Sequence, residues 1–519
     1  MNFKLDKIIN FFKSYVFSSI ILAISYIFNL VSQYRFEPTM TNSDMASELI
    51  LANLLNSEHK FISTNWIYST ELRVFCTQII YKLALFIFPH NWRLARTFSV
   101  AIFLAIFIFA IIFLFKAFDQ FKAGIWACVI CLCPLCSWYV WDILYFSHYI
   151  LFTSISFILL GLLIHMHKSC TVKAFGISAC IYCILCFLSG LNGVRQLLIC
   201  IVPIALTYII YLYIVSPKFS NKFKVLGIEI LGLVLSLAGL WINENVFSKI
   251  YHFRHYNKIE WAEFSLNRII KCLGDFIGLF GYRKEVLFFS ASGIANAAGL
   301  VLIIGLFVAI IWLFKHIKNL SEGELLVLLF TTVTFLFDLL VYSFIDSYNQ
   351  SYWVMHVPFF LVTIIIFIKN IMDTYRKSFI GFYVVVSMLL CSISTLQSPY
   401  IATDSTTIQG ASNWLNQSGY TQGFGMFWES NVLTQLSNGE IEMWTVTDLI
   451  SVTPYEWLQL LSHIDNLPEG PVFLIVAKND VTNEVIPGDA LSPNLAYGDD
   501  YFYIYTFNDI SEYIAIVQN

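Results

Sequence analysis

Charge is scarce in this chain: Lys, Arg, Asp and Glu make up 12% of its 519 residues, about half of what a water-soluble globular protein carries. A soluble fold of this size is thereby excluded. The 58% of hydrophobic residues gather in long runs between short polar stretches and mark a polytopic membrane protein. A basic excess is lacking too. Thirty Lys and Arg against 34 Asp and Glu leave a net charge of −4, which argues against nucleic acid or another polyanion as the main partner. No tandem repeat or low-complexity tract is evident. Beyond Pro399 the chain has no Cys, no Arg and a single Lys, Lys478, against 15 Asp and Glu. That stretch, residues 399–519, reads as a separate soluble domain that folds without disulfides.

What is abundant is apolar sequence of membrane-crossing length. A helix rising about 1.5 Å per residue needs roughly 20 apolar residues to cross the hydrocarbon core. About eleven such runs occur in residues 1–398, near 15–34, 97–115, 123–141, 145–164, 174–190, 196–215, 225–242, 291–314, 325–345, 353–368 and 378–396. The apolar stretch from Cys76 to Phe88 is too short to cross and ends at Pro89, so it is expected to lie along the interface. Lys4, Lys7, Lys13, Lys116, Lys122, Lys168, Lys173, Lys218, Lys222, Lys224, Lys315, Lys318, Lys369, Arg376 and Lys377 fall in alternate short segments. The short loops near 142, 192 and 348 carry Arg195 alone. The bias predicts a cytoplasmic amino terminus on an uncleaved signal anchor, and an extracytoplasmic carboxy-terminal domain of a cell-membrane protein.

In the outer domain, helix-like stretches (Ile408 to Gln417, Trp428 to Leu436, Tyr455 to Ile464) alternate with β-rich runs (Gly423 to Phe427, Ile441 to Val446, Val472 to Ala477, Tyr501 to Phe507). A small α/β module is expected there. Two cysteine groups have metal-like spacing: Cys128, Cys131, Cys133 and Cys136, then Cys180, Cys183 and Cys186. Both lie inside apolar runs, where cysteine behaves as a small hydrophobe.

Four segments on the predicted outer side carry chemistry. After the first span, Asp44 and Glu48 are one helical turn apart, with Ser43 or Asp44 able to cap the helix. A carboxylate there suits deprotonation of a hydroxyl or retention of a divalent cation. Trp66, Tyr68, Glu71 and Arg73 combine aromatic faces with polar edges, as sugar binding or an interfacial belt requires. Asp142 stands at a membrane border with Tyr145 and His148 following it. Arg195 and Gln196 follow a Gly-Asn-Gly turn, and a guanidinium there matches phosphate oxygens or snorkels to headgroups. The loop from about 243 to 290 adds His252, Arg254, His255, Arg268, Arg283 and Lys284.

The first-loop Asp44, the next-loop Asp142, an interfacial helix before the second span and a carboxy-terminal outer domain resemble the GT-C-fold glycosyltransferases. More narrowly, Trp66–Arg73, Asn91–Arg96, Gly193–Gln196, Gly423–Thr434 and Leu436–Glu442 resemble bacterial members of the protein O-mannosyltransferase-like branch. The resemblance implies inverting transfer of a sugar from a polyprenyl-phosphate donor to a cell-envelope glycan, lipid or protein acceptor on the outer face. It implies Asp44 as general base, Asp142 as a second acid that assists or holds a cation, and Glu48, Trp66, Tyr68, Glu71, Arg73, His148, Arg195 and Gln196 as substrate-binding. Arg195 would meet the lipid-linked phosphate, on grounds of chemistry more than motif. Related proteins often carry an Arg-Tyr pair before a late span. The segment Ser347–Trp353 has no Arg, so phosphate contact is not expected from it.

Two other classes compete. A transporter or flippase of lipid-linked sugars would carry charge inside its spans, for which Asp338 is the main candidate. A polysaccharide polymerase or ligase would place Arg and His in a large outer loop, as 243–290 does. The outer domain is expected to bind acceptor glycan through Trp428, Trp444 and Trp457, or else to cap the bundle.

Overall fold

The computed structural model describes residues 15–518 except 71, 75–76, 170, 216–220, 254–260, 283–285, 288, 346–347, 405–406 and 484. Glu71, Lys4, Lys7, Lys13, Lys218, Arg254, His255, Arg283 and Lys284 lie outside the described residues. Among those described, ten helices are long and apolar enough to cross a membrane, from Tyr15–Met40 to Thr374–Ile401, as a multi-pass membrane protein requires. The chain gathers into two compact units. The first comprises Met1–Val31, Ala101–Asn243 and Asn257–Gln397; the second comprises Ser32–Val100, Glu244–Tyr256 and Ser398–Asn519.

The first unit is helical. Its helices Val172–Gly190 and Lys222–Lys249 pack backbone to backbone: a Cβ on Gly190 would stand 2.0 Å from the Ser236 carbonyl oxygen. Small residues at such crossings let dispersion act where no hydrophobic force operates between helices. The apolar run 123–141 does not form one span. The helix Phe121–Cys131 stops before Pro134, which has no N–H to give, and a short turn, Ser137–Tyr139, follows. The carbonyls that the break releases are taken up: Asn29 Nδ2 donates to Leu132 at 2.9 Å, Thr395 to Leu135 at 3.0 Å and Tyr139 OH to Cys131 at 2.6 Å. The chain then continues as the π-helical turn Val140–Tyr145, and a second π turn covers Leu197–Ile201.

The second unit contains two sheets. The smaller joins β1 (Trp66–Tyr68), parallel to β2 (His252–Phe253) and antiparallel to β6 (Gln459–Leu460). The larger is mixed, in the order β5 (Thr453–Pro454), β4 (Glu442–Asp448), β3 (Gln422–Met426), β7 (Val472–Ala477), β9 (Phe502–Phe507), β8 (Leu495–Gly498). Alternation along β7 buries both faces: Val472, Leu474 and Val476 join one core with Phe424 and Tyr505, while Phe473 and Ile475 join another with Ile504 and Leu433. The β-rich runs therefore appear where expected, as do helices Ile408–Ser418 and Phe427–Leu436. Tyr455 to Ile464 does not become a helix. β6 forms there instead, because Gln459 and Leu460 pair with β1 and the Gln459 side chain bonds the backbone of Thr445. The short apolar helix expected at the interface spans Gln78–Ile87, burying Tyr81, Ala84 and Leu85 and exposing Ile79, Leu83 and Phe86.

Candidate active site

In the second unit, the helix Ser43–Ser57 carries the first-loop acids. Its cap is neither Ser43 nor Asp44: Asn42 Oδ1 accepts from Met45 N at 3.1 Å, and Ser43 Oγ donates to the Phe427 carbonyl. Asp44 stays half-buried in the first turn. Glu48 is buried one turn on and accepts from Thr77 Oγ1 at 2.8 Å.

The backbone beside Asp44 is fixed by a buried guanidinium. Arg96 Nη2 donates to the Met45 carbonyl at 2.7 Å and to Gln435 Oε1 at 2.6 Å, and its Nε lies 3.4 Å from Glu37 Oε1. Gln435 Nε2 closes the ring by donating to Glu37 at 2.5 Å. Glu37 was missed in the sequence, although a carboxylate at the end of an apolar run is itself a signal.

Trp66 and Tyr68 are buried in a core with Leu51, Leu55 and Leu72, and Tyr68 OH both donates to and accepts from the Ser63 backbone. Arg73 is half-buried in the segment after β1.

In the first unit, Asp142 is buried within its π turn, and its carbonyl accepts from Tyr149 N at 2.8 Å. The His148 ring packs edge-on to Tyr149 at 4.6 Å. Gln196 is spent on structure, donating to the Phe152 carbonyl at 3.1 Å and to Ser156 Oγ at 3.0 Å.

Arg195 is held between rings: its guanidinium carbon lies 4.4 Å from the Tyr149 centroid and 4.8 Å from that of Tyr352. Such a clamp orients the plane of the guanidinium fork, the geometry with which arginine meets oxyanions. Tyr352 belongs to the segment that lacks an arginine, and leads to Tyr342, whose OH donates to the Tyr352 carbonyl at 3.4 Å. Next along is a cavity of about 160 Å³ lined by Arg268, Lys271, Cys272, Tyr342, Ile345 and Tyr348. Lys271 Nζ lies 5.7 Å from the Tyr348 ring. Burial pushes the Tyr348 phenol up, so it stays a neutral donor, and burial likewise raises the Asp275 carboxyl. Two fixed cations and a phenol make this cavity suited to an anionic group such as phosphate.

Among the described residues no cluster of three or more His, Cys, Asp or Glu could hold a metal ion, and Cys128, Cys131 and Cys136 are buried and in no disulfide. Asp338 is fully buried beside His356 Nε2 at 2.9 Å.

The chain is similar to ArnT from Cupriavidus metallidurans, a GT-C glycosyltransferase, in its crystal structure bound to undecaprenyl phosphate. The TM-score is 0.64 at 11% identity, covering 95% of this chain and 98% of that one. The chain has the GT-C fold. ArnT in its apo state gives a TM-score of 0.61, at 11% identity over 94% of this chain and 97% of that one. The oligosaccharyltransferase of Archaeoglobus fulgidus, tethered with an acceptor peptide, gives 0.48 at 13% identity, over 96% and 75% of the two chains. No protein-family description and no curated protein sequence matches. At these identities the GT-C likeness speaks for the fold, and the chemistry has to be argued from the residues.

Proposed function

We propose that this chain is an inverting glycosyltransferase that moves a sugar from a polyprenyl-phosphate donor to an acceptor hydroxyl on the outer face of the membrane, with its amino terminus cytoplasmic. The observation that carries the reading is the Arg195 guanidinium clamped between Tyr149 and Tyr352, in a GT-C-fold chain whose solved neighbour is bound to undecaprenyl phosphate. Kinship with the protein O-mannosyltransferase-like branch belongs to the same proposal.

The acceptor oxygen attacks the anomeric carbon, and the bond from that carbon to the phosphate oxygen breaks. The electron pair leaves with polyprenyl phosphate, and the acceptor proton passes to Asp44. The leaving group needs little protonation, so stabilising its negative charge is the larger task, and Arg195 performs it. Asp142 assists from its π turn, as a second acid or as part of a divalent-cation site. The Arg96 network supports Asp44 by fixing the Met45 carbonyl next to it.

The discriminating experiment presents labelled polyprenyl-phosphate sugar to the purified protein in vesicles. Appearance of free polyprenyl phosphate together with a glycosylated acceptor is expected. Movement of the intact donor across the bilayer without bond cleavage would contradict the proposal in favour of a flippase, and activity restricted to a diphosphate donor would favour a polymerase or ligase.

A further inference from the structure

The second unit contains another cavity, of about 160 Å³, to which sugar transfer as proposed assigns nothing. Its walls come from segments that drew notice in the sequence, of which only the first, with Trp66, was offered a part in sugar binding. Trp66 belongs to Trp66–Arg73, Trp92 to Asn91–Arg96, and Glu442 ends Leu436–Glu442. Asn53, Gln459 and His463 complete the lining that matters here.

The walls are held in place before any ligand arrives. Trp66 is fixed by pairing of β1 with β6, reinforced by the bond from Leu461 N to the Asn65 carbonyl at 3.0 Å. Trp92 N donates to Asn438 Oδ1 at 2.8 Å, and its ring presses on Gly439, where a Cβ would come within 2.6 Å and φ is +81°. A side chain at 439 would therefore be strained twice over. The His463 ring stacks on Trp444 at 4.1 Å and points Nε2 at Glu442 Oε1, 2.8 Å away.

The lining chemistry selects the occupant. Two indoles, each almost fully buried, contribute apolar ring atoms to the wall, an exposed amide (Asn53) and a carboxylate give polar edges, and among the described residues no Lys or Arg lines the cavity. An anion would meet the Glu442 carboxylate with neither Lys nor Arg among the described lining residues to offset it, so a phosphate or uronate is disfavoured. Two ring nitrogens of lining residues, Trp66 Nε1 and His463 Nδ1, have no hydrogen-bond partner among the described residues, although both side chains are more than nine-tenths buried. Trp66 Nε1–H calls for an acceptor and His463 Nδ1, whose Nε2 faces the Glu442 carboxylate, for a donor in the neutral ring; a sugar hydroxyl can serve as either. The volume is below that of an ordinary drug-sized site, which limits the occupant to one small ring.

We propose that this cavity is a subsite for one neutral pyranose ring, a hexose or N-acetylhexosamine unit of a glycan acceptor. The inference deepens the transferase reading by naming the acceptor's chemistry, and its test reads binding in the absence of donor. The full-length protein in detergent is titrated by calorimetry and tryptophan fluorescence with glucose and N-acetylglucosamine tetrasaccharides, and with a tetra-uronate as the charged control. At least one neutral glycan is expected to bind, and the uronate to bind at least tenfold more weakly. Asn53→Trp, at an exposed position on the cavity's edge, is expected to weaken neutral-glycan binding at least tenfold with an unchanged melting temperature, and Glu442→Gln is expected to narrow the gap between neutral and charged glycans. Absence of binding by both neutral glycans, equal binding of the uronate, or unchanged affinity in folded Asn53→Trp would each overturn the proposal. Sugar binding without transfer would contradict the transferase reading alone, and transfer without sugar binding would contradict this subsite alone.

Discussion

At the scale of single residues, two arginines do different work. Arg195 is flanked by two aromatic faces, whereas Arg96 is fully buried and donates to Tyr81 OH, the Met45 carbonyl and Gln435 Oε1. Arg195→Lys keeps the charge but loses the plane that Tyr149 and Tyr352 hold. The donor KM is expected to rise about tenfold, worth ~1.4 kcal/mol, with kcat little changed in steady-state assays. An unchanged KM would remove Arg195 from the donor site. Arg96→Met strands Glu37, which is 2% exposed, and breaking a buried ion pair from one side costs about 3–5 kcal/mol. Thermal unfolding should show that loss, and Glu37→Gln, which can still accept from Gln435, should lose less. Equal and small losses would mean that the network does not hold the Asp44 turn.

At the scale of elements, Asp142 lies in one π-helical turn and Arg195 and Gln196 immediately precede another. π turns are rare and concentrate at functional sites, and a reading based on a 3.6-residue period cannot register them. The break at Pro134 was equally hidden, because whether an apolar run stays continuous depends on distant donors such as Asn29 and Thr395. β6 shows the same limit: local periodicity at Tyr455 to Ile464 suggests a helix, while pairing with β1, almost 400 residues earlier in the chain, decides for a strand. The helix Phe427–Leu436 brings a prediction of its own. Burial pushes the Glu429 carboxyl up to about 7, from an ordinary value near 4.5, and the charge of Asp480 adds to the rise. Between those values the folded form holds a proton that the unfolded form has released, so stability should fall as pH rises through about 4.5–7 and level off above it. Melting curves across that range should show the trend, and Glu429→Gln should flatten it. A wild-type profile no steeper than that of the variant would contradict the assignment.

At the scale of the whole molecule, composition identified the helices of membrane-crossing length and the acidic carboxy-terminal segment, because both are properties of bulk hydropathy and charge. It did not reveal that Ser32–Val100 and Glu244–Tyr256 gather with Ser398–Asn519 in one compact unit. Strands of two or three residues, β1 and β2, join those segments, and nothing in so short a stretch announces its partner. The acids Asp44 and Asp142 and the cation Arg195 were legible as charges stationed at the ends of apolar runs. The tyrosine clamp and the Arg96–Glu37–Gln435 ring were not, since each joins residues far apart in sequence. The central claim is that Asp44 accepts the acceptor's proton during sugar transfer. Single-turnover transfer from a labelled polyprenyl-phosphate sugar, with donor affinity measured in parallel, tests it most directly for Asp44→Asn. The account predicts a rate lower by about 10²–10⁴-fold, the range for a lost general base, at unchanged donor affinity. Transfer at the wild-type rate in the folded variant would contradict it.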